Sequence, residues 1–561
     1  MYSVAKRATA SLAILQQTHD SAEMSNASGT DINLARIGRR LLIVVLLGAV
    51  IWWLRPLFHP VIYGIAYSPS TIYVIGIPLL TGLILYLIPP FNVKKEDVSS
   101  RDAKTALFGL SVIAGVLLAI TLGNLSGTFE DRHLGMEAME QATAEAEFPR
   151  ANEENPRIVP QAVADVQTRG SVSYRQHQLG ISDIARMEDG RLAWSYPIQP
   201  DQFRNRLQGN QRGVLLSDMT AMDDREMQAF DEHPFTYGQN MMLHRSADWQ
   251  LKKSDFWVQY RDDPIEFTHD GEVYMAFPKT GHEWHLLPIP HTTPTWEGVA
   301  LVHQDGTIEH FTPNEARASD ILDGQRLFPL YNASRYAESL QYRGGILNVM
   351  PAIGTYEGVV EPAALPAGAG NSQPFVIDLQ GERMSYVYAM EPAGLDTRGL
   401  DEVWFFDSHT GEMRFFETGT ETLLGPERAM GIVRAEDTRT DWDTERSSGE
   451  FSVVEPIPTV VDGDLWWHAK VVPTDNTDVT RNAFVNAHSG TVVEIHETAA
   501  VVDFLSGEDA DDISDVEVVA AEDDIEEDAP AYYIIISEDG EEVDRIGVDD
   551  VEDIGIEVEA Q

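Results

Sequence analysis

The chain has 561 residues, which allows about three or four domains. Its 90 Asp and Glu against 40 Lys and Arg give a formal net charge of −50, which excludes nucleic acid as a partner. The absence of Cys excludes disulfides, thiol catalysis and thiolate metal sites, and 43% hydrophobic with 9% aromatic content excludes a mostly disordered acidic chain.

Residues 1–38 read as a cytoplasmic segment, and 39–124 as an anchor of three transmembrane helices. The first apolar run, LLIVVLLGAVIWWL at 41–54, follows Arg36, Arg39 and Arg40 and continues through Leu57. No small-residue cleavage site follows it, so it reads as a span rather than a signal peptide. Trp52 and Trp53 suit the far interface. A short Pro- and Tyr-rich loop leads to the second run, Thr71–Ile88, ended by Pro89 and Pro90. Lys94, Lys95, Arg101 and Lys104 precede the third, Ala106–Leu122, in which Ser111 and Gly115 are small enough for close helix packing.

The loop between the first two runs carries only Arg55, so the positive-inside rule places the N-terminus in the cytoplasm. Everything after Gly123 then lies outside the cell. Residues 1–104 hold ten basic and six acidic residues, so the negative charge belongs to the exported part. The runs 41–54, 71–88 and 106–122 contain no Asp, Glu, Lys, Arg or His, which argues against transport and for an anchor.

Residues 125–156 are polar and Glu- and Ala-rich, and read as a helical or flexible stalk. From 157 the pattern becomes short apolar alternations broken by Gly, Pro, Asp and Asn, which predicts strands. One pattern recurs: VALVHQDGTIEHF at 299–311, VWFFDSHTGEMRFF at 403–416 and AFVNAHSGTVVEI at 483–495, with a weaker VLLSDMT at 214–220. Each complete copy is an apolar strand, a polar turn with glycine, and a second strand. Asp or Asn at the turn bonds the backbone two residues on, and Gly306, Gly411 and Gly490 supply the positive φ that closes the hairpin. Thr312-Pro313-Asn314-Glu315 opens a helix as a capping box, and Pro426 starts another that reaches about Trp442. The predicted fold is α+β, with outer regions at 157–295 and 296–423, a further domain at 424–500, an acidic linker at 501–530 and a β-hairpin at 531–561.

Histidines at 282, 285, 291, 303 and 310 are the best metal candidates, with Glu283 beside them. His282, His285 and His291 are nevertheless weak ones. Zincins place two His one helical turn apart, whereas His282 and His285 are one residue closer and Gly281, Pro288 and Pro290 oppose a helix. On a strand, 282 and 285 point to opposite faces. The expectation is therefore no metal, no cofactor and no catalytic residue, with scattered surface histidines. Asp407, Ser408 and His409 sit on a turn with no second carboxylate motif, so they carry no protease chemistry. Asp437, Asp441, Asp443, Asp475 and Asp478 lack the EF-hand pattern and read as solvated charge. Gly368-Ala369-Gly370 lacks the context of a phosphate loop and reads as a linker. Of the sequons at Asn26, Asn124 and Asn332, Asn332 is the expected glycan site.

Two resemblances complete the reading. The dispersed acidic charge, with only eight Lys, is similar to the proteins of extreme halophiles, in whose molar salt the Debye length falls to about 3 Å and self-repulsion is screened. Residues 424–500, with a helix, the aromatic strand LWWHAKVV and the closing NAHSGTV hairpin, resemble a PepSY or cystatin-like domain. The order of three spans followed by serial units of this type resembles large bacterial and archaeal membrane proteins of unknown function. The PepSY resemblance implies inhibition of peptidases or envelope sensing. The expectation is a membrane-anchored, extracytoplasmic binding, sensing or structural protein of a haloarchaeal envelope, or of a virus infecting such cells, with a protein partner on its outer face. The runner-up is an extracytoplasmic metal-dependent hydrolase using the histidine-rich stretch.

Overall fold

The computed structural model describes residues 34–87, 100–222, 225–351, 353–366, 370–381, 384–394, 399–419, 423–444, 448–507, 516–519, 532–536 and 542–547. Asn26, Lys94, Lys95, Gly368, Ala369 and most of the acidic linker lie outside them. The chain forms two compact units, 1–58 and 59–561.

Three helices are long and apolar enough to cross a membrane: Val45–Tyr67, Pro69–Leu87 and Asp102–Gln141. The first belongs to a helix over Leu34–Tyr67 and the third to one over Ser100–Gln141. Along 45–54 the first helix exposes apolar side chains on all sides, the pattern of a helix solvated by lipid. The second and third helices pack closely through small residues. A Cβ on Gly115 would lie 2.4 Å from the Tyr73 carbonyl, and one on Gly123 would lie 3.0 Å from Ser70 Oγ. Gly115 thus permits the contact that its size predicts, whereas Ser111 turns its hydroxyl back to the Phe108 carbonyl.

The third helix does not stop where its apolar run ends. Residues 125–141 continue it without a break, and Leu134 and Ala138 are fully buried. They join a core with Tyr336, Ala337 and Leu340. Gly135 lets the backbones meet: its Cβ would lie 2.3 Å from the Ser339 carbonyl. Arg335 on helix Leu330–Ser339 reaches Asp131 at 2.5 Å and Glu130 at 3.3 Å. Strand Thr143–Glu145 then pairs in parallel with Met413–Glu417. Of the segment 125–156, expected as a helical or flexible stalk, residues 125–141 are a helix packed against Leu330–Ser339.

Four sheets of four or more strands follow. Leu192–Pro200 and Gly213–Asp218 are central in the first. The second is a meander of Ile265–His269, Glu272–His285, His291–His303 and Ile308–Phe311. The third is six-stranded around Met384–Pro392 and Glu402–Asp407. The fourth runs Phe451–Val461, Asp464–Pro473, Arg481–Asn486, Val492–Ile495 and Val516–Val519, with helix Pro426–Glu436 packed on it. That helix ends six residues before Trp442. The expected break at 295/296 falls inside strand His291–His303. One core also draws on Leu134, Trp194, Tyr336, Trp404 and Val472, so the serial segments share their interior.

The recurrent hairpins have the turn chemistry their sequences prescribe. Asp305 Oδ1 accepts from Thr307 N, Asp407 Oδ1 from His409 N and Thr410 N, and Asn486 Oδ1 from His488 N and Ser489 N. Gly306, Gly411 and Gly490 take φ of +92°, +76° and +81°. The capping box at Thr312 and Glu315 is formed.

Candidate metal centre

Strands Glu272–His285 and His291–His303 make a long hairpin. Beyond the irregularity at Pro278/Thr280 they pair mainly with each other, Gln259 adding one bridge to Thr280. The register sets His282 opposite Pro294, Glu283 opposite Thr293, Trp284 opposite Thr292 and His285 opposite His291. Strand alternation therefore gives this arm two faces. His282, Trp284 and Thr292 share one. Glu283, His285, His291 and Thr293 share the other.

The first face grips the end of the first helix. Trp284 Nε1 donates to the Ala66 carbonyl at 3.2 Å, and Thr292 Oγ1 to that of Tyr67 at 3.2 Å. The Tyr63 hydroxyl and His282 Nδ1 share a hydrogen bond of 2.9 Å. Burial, with a smaller contribution from Arg261, lowers the His282 pKa to about 4, so this ring stays neutral.

The second face meets the third helix. His133, His285 and His291 each offer a ring nitrogen, and the three atoms lie within 4.8 Å of one another. His133 Nδ1 and His291 Nε2 are 3.3 Å apart. Ring centroids of His133 and His285 are 4.1 Å apart, and those of His285 and His291 5.0 Å. His291 is only 3% exposed, and the other two are half-buried. His291 Nδ1 lies 2.8 Å from the Ile289 carbonyl, which accepts its N–H. Its Nε2 lone pair is thereby turned toward His133. This is the outer-shell bond that fixes tautomer and ring angle in metal-ligating histidines. His285 Nε2 is held by Thr293 Oγ1 at 2.9 Å. Burial first, then the neighbouring His133 and His291, lower the His285 pKa. A low pKa keeps the imidazole in the neutral form a metal requires.

Three imidazole nitrogens at 2.0–2.1 Å from a tetrahedral ion stand about 3.3 Å apart. The His133–His291 spacing already meets this, and His285 stands within 4.8 Å of both. Three protein ligands leave a fourth position open, as in catalytic and exchangeable sites. An all-imidazole set suits zinc, copper or nickel and disfavours calcium or magnesium.

Of the three weak candidates, His285 and His291 come together, and His282 faces the other way, as strand alternation requires. His303 lies 3.6 Å from Glu309, and His310 bonds Ser254 Oγ, both away from the cluster. Sequence reasoning missed His133, the sole histidine within Ser100–Gln141. Its signal is that no proline separates it from the third apolar run, although Gly123 and Gly127 weaken the helical pattern between them.

The remaining candidates have structural partners. Ser408 Oγ donates to the Met384 carbonyl and His409 Nδ1 bonds that of Gln325, so the two do not form a nucleophile–base pair. Asp437 accepts from Thr440 and pairs with Arg481, and Asp475 caps Thr477. Asn332 is not an accessible glycan acceptor. It is 1% exposed on helix Leu330–Ser339, and its Oδ1 accepts from Thr280 Oγ1 at 3.0 Å.

No known protein family, curated protein or solved structure matches this chain.

Proposed function

We propose that the chain is a membrane-anchored protein of the cell envelope that binds a divalent transition-metal ion through His133, His285 and His291 in a sensing role. One observation carries the reading: imidazoles from the third helix and from the long hairpin converge at ligand spacing, with the His291 tautomer set by Ile289. The sensing role follows from where the ligands sit. One is on a helix continuous with a candidate span, and two are on the β region, so an ion would join them.

The charge asymmetry supports an extracytoplasmic β region. The acidic, Lys-poor composition supports a halophilic setting, cellular or viral. The helix-then-meander order over 426–495 supports a PepSY-like unit there. A metal-dependent hydrolase is the second reading, favoured by the open fourth position and by Glu283 on the same hairpin face.

The test is equilibrium dialysis of the full chain, in detergent and high salt, against zinc. One ion per chain is expected, lost in His133→Ala and His291→Ala and kept in His282→Ala. Equal zinc content in all four proteins would remove the site. Ester hydrolysis that depends on the bound ion would favour the hydrolase.

A further inference from the structure

Acids outnumber bases by 90 to 40 in this chain, yet three segments near the first sheet hold none. Residues 166–182, 202–217 and 233–247 contain six Arg and no Lys, Asp or Glu. The fold brings them to one face. Strand His177–Leu179 pairs with Ile198–Pro200, and the His177 ring bonds the Asn210 carbonyl at 3.0 Å. Arg206 Nε donates to the Asn240 carbonyl at 3.0 Å, and Met242 N donates back to that of Arg206 at 2.9 Å. Arg245 donates to the Leu207 carbonyl and to Asn210 Oδ1.

At the margin Asp165 and Asp231 pair with Arg169 and Arg212, and Asp201 accepts from Asn205. That leaves Arg175, Arg204, Arg206 and Arg245 against Asp201 and Glu232. The side chains of Arg175 and Arg204 are exposed and have no hydrogen-bond or ion-pair partner among the described residues. Phe203, Leu207 and Leu243 stand among them, 68%, 38% and 43% exposed. Arginine with exposed aromatic and aliphatic side chains is the composition of an interface core.

The face is also held in shape. Arg206 and Arg245 are fixed by carbonyls, and Arg212 lies between Asp231 and the Tyr174 ring, 5.5 Å from its centroid. Gln176, Gln202, Asn240 and Leu243 take φ of +66°, +48°, +53° and +55°. They are four of the nine residues other than glycine with positive φ among the described residues. Backbone strain of this kind collects where a surface is kept ready for a ligand.

We propose that this face docks a carboxylate-rich segment of a protein partner, whose acids meet the arginines and whose apolar side chains cover Phe203, Leu207 and Leu243. The guanidinium fork takes a carboxylate through two parallel hydrogen bonds. The exposed apolar side chains favour a protein over a purely polar polyanion. Fixed arginines favour a partner of defined shape over a lipid surface, for which mobile charge suffices. The inference concerns the first sheet and is independent of the metal reading.

The test is fluorescence anisotropy of a labelled peptide of repeated Glu-Glu-Leu with the full chain in phosphatidylcholine nanodiscs. Molar salt, with a Debye length of about 3 Å, screens repulsion from the remaining surface. The parent should bind the peptide, and Arg175→Glu/Arg204→Glu should weaken binding at least tenfold. Arg428→Glu/Arg439→Glu makes the same charge change at exposed positions on another part of the chain and should stay within twofold of the parent. A Gln-Gln-Leu peptide should bind at least tenfold more weakly. No binding by the parent, equal loss in the two double variants, or equal binding of the two peptides overturns the proposal. So does capture of phosphatidylglycerol vesicles through Arg175 and Arg204 in place of the peptide, which would assign the face to lipid.

Discussion

His133 Nδ1 on the third helix lies 3.3 Å from His291 Nε2 on the long hairpin, across 158 residues of sequence. Neither residue has a local motif, and the contact exists only because helix Ser100–Gln141 continues past its apolar run and the hairpin reaches back to it. Two imidazoles at this spacing, one with its outer nitrogen already bonded, are prepared to share a cation.

Metal affinity should fall with acid, and late. A bound ion needs His285 deprotonated, and burial holds its pKa below the ordinary 6.5. Proton competition at this ligand therefore begins below pH 6.5 rather than at it. Dialysis across pH 8 to 4 should show zinc retained at pH 6.5 and lost below it. Loss beginning above pH 7 would contradict the buried, neutral cluster.

Arg335 fastens the continued helix through Asp131 and Glu130. All three side chains are about four-fifths buried, so truncation leaves two carboxylates poorly solvated. Arg335→Ala should cost on the order of 2–3 kcal/mol, reduced from the fully buried case because solvent still reaches the cluster. Denaturant midpoints in detergent measure this, and a loss under about 0.5 kcal/mol, the level of an exposed pair, would mean that the helix is held by apolar packing alone.

Lys470 is fully buried in strand Asp464–Pro473, and its Nζ has no hydrogen-bond partner among the described residues. Burial lowers its pKa to about 7, against the raising influence of Glu455. Between pH 7 and 10.5 the unfolded chain binds the proton and the folded chain does not, so stability rises with pH in that window. The slope contributed approaches about 1.4 kcal/mol per pH unit and vanishes below pH 7, where both states are protonated. Lys470→Met should flatten that rise and stabilise the protein at pH 7. Denaturation at pH 7, 8 and 9 decides it.

Gly411 and Gly490 occupy the same turn position with similar φ, yet their surroundings differ. A Cβ at 411 would meet the Phe328 ring at 2.6 Å, whereas one at 490 finds its nearest atom, Ile432 Cδ1, at 3.5 Å. Gly490→Ala should cost about 1 kcal/mol, the backbone term alone. Gly411→Ala should cost about 2–3 kcal/mol, because a ring in the core must move. Thermal unfolding of the two variants side by side tests the difference.

The sequence made the spans and the hairpin turns legible for physical reasons. An apolar run without charge has one stable environment, and an Asx-glycine turn is closed by its own residues. Opposite faces for His282 and His285 followed from strand alternation, and the structure has them so. What sequence could not show was set by tertiary packing. Residues 125–141 are rich in charge and read as part of a helical or flexible stalk, because the narrow stripe of Leu134 and Ala138 is decided by Tyr336 and Leu340 two hundred residues away. His133 was missed for the same reason. The break expected at 295/296 failed because strand His291–His303 runs across it, paired with Glu272–His285 on both sides of the irregularity at Pro278/Thr280.

The unbroken third helix has a mechanical meaning. A single helix of 42 residues is a rod about 63 Å long, with no joint in which a twist could be absorbed. Turning it by 20° within the bilayer swings the His133 imidazole, about 6 Å from the axis, through about 2 Å. That is the length of one metal–nitrogen bond. An ion held by all three histidines would therefore join the Arg335 ion pairs and the Gly135–Ser339 contact in fixing the rotational angle of the rod.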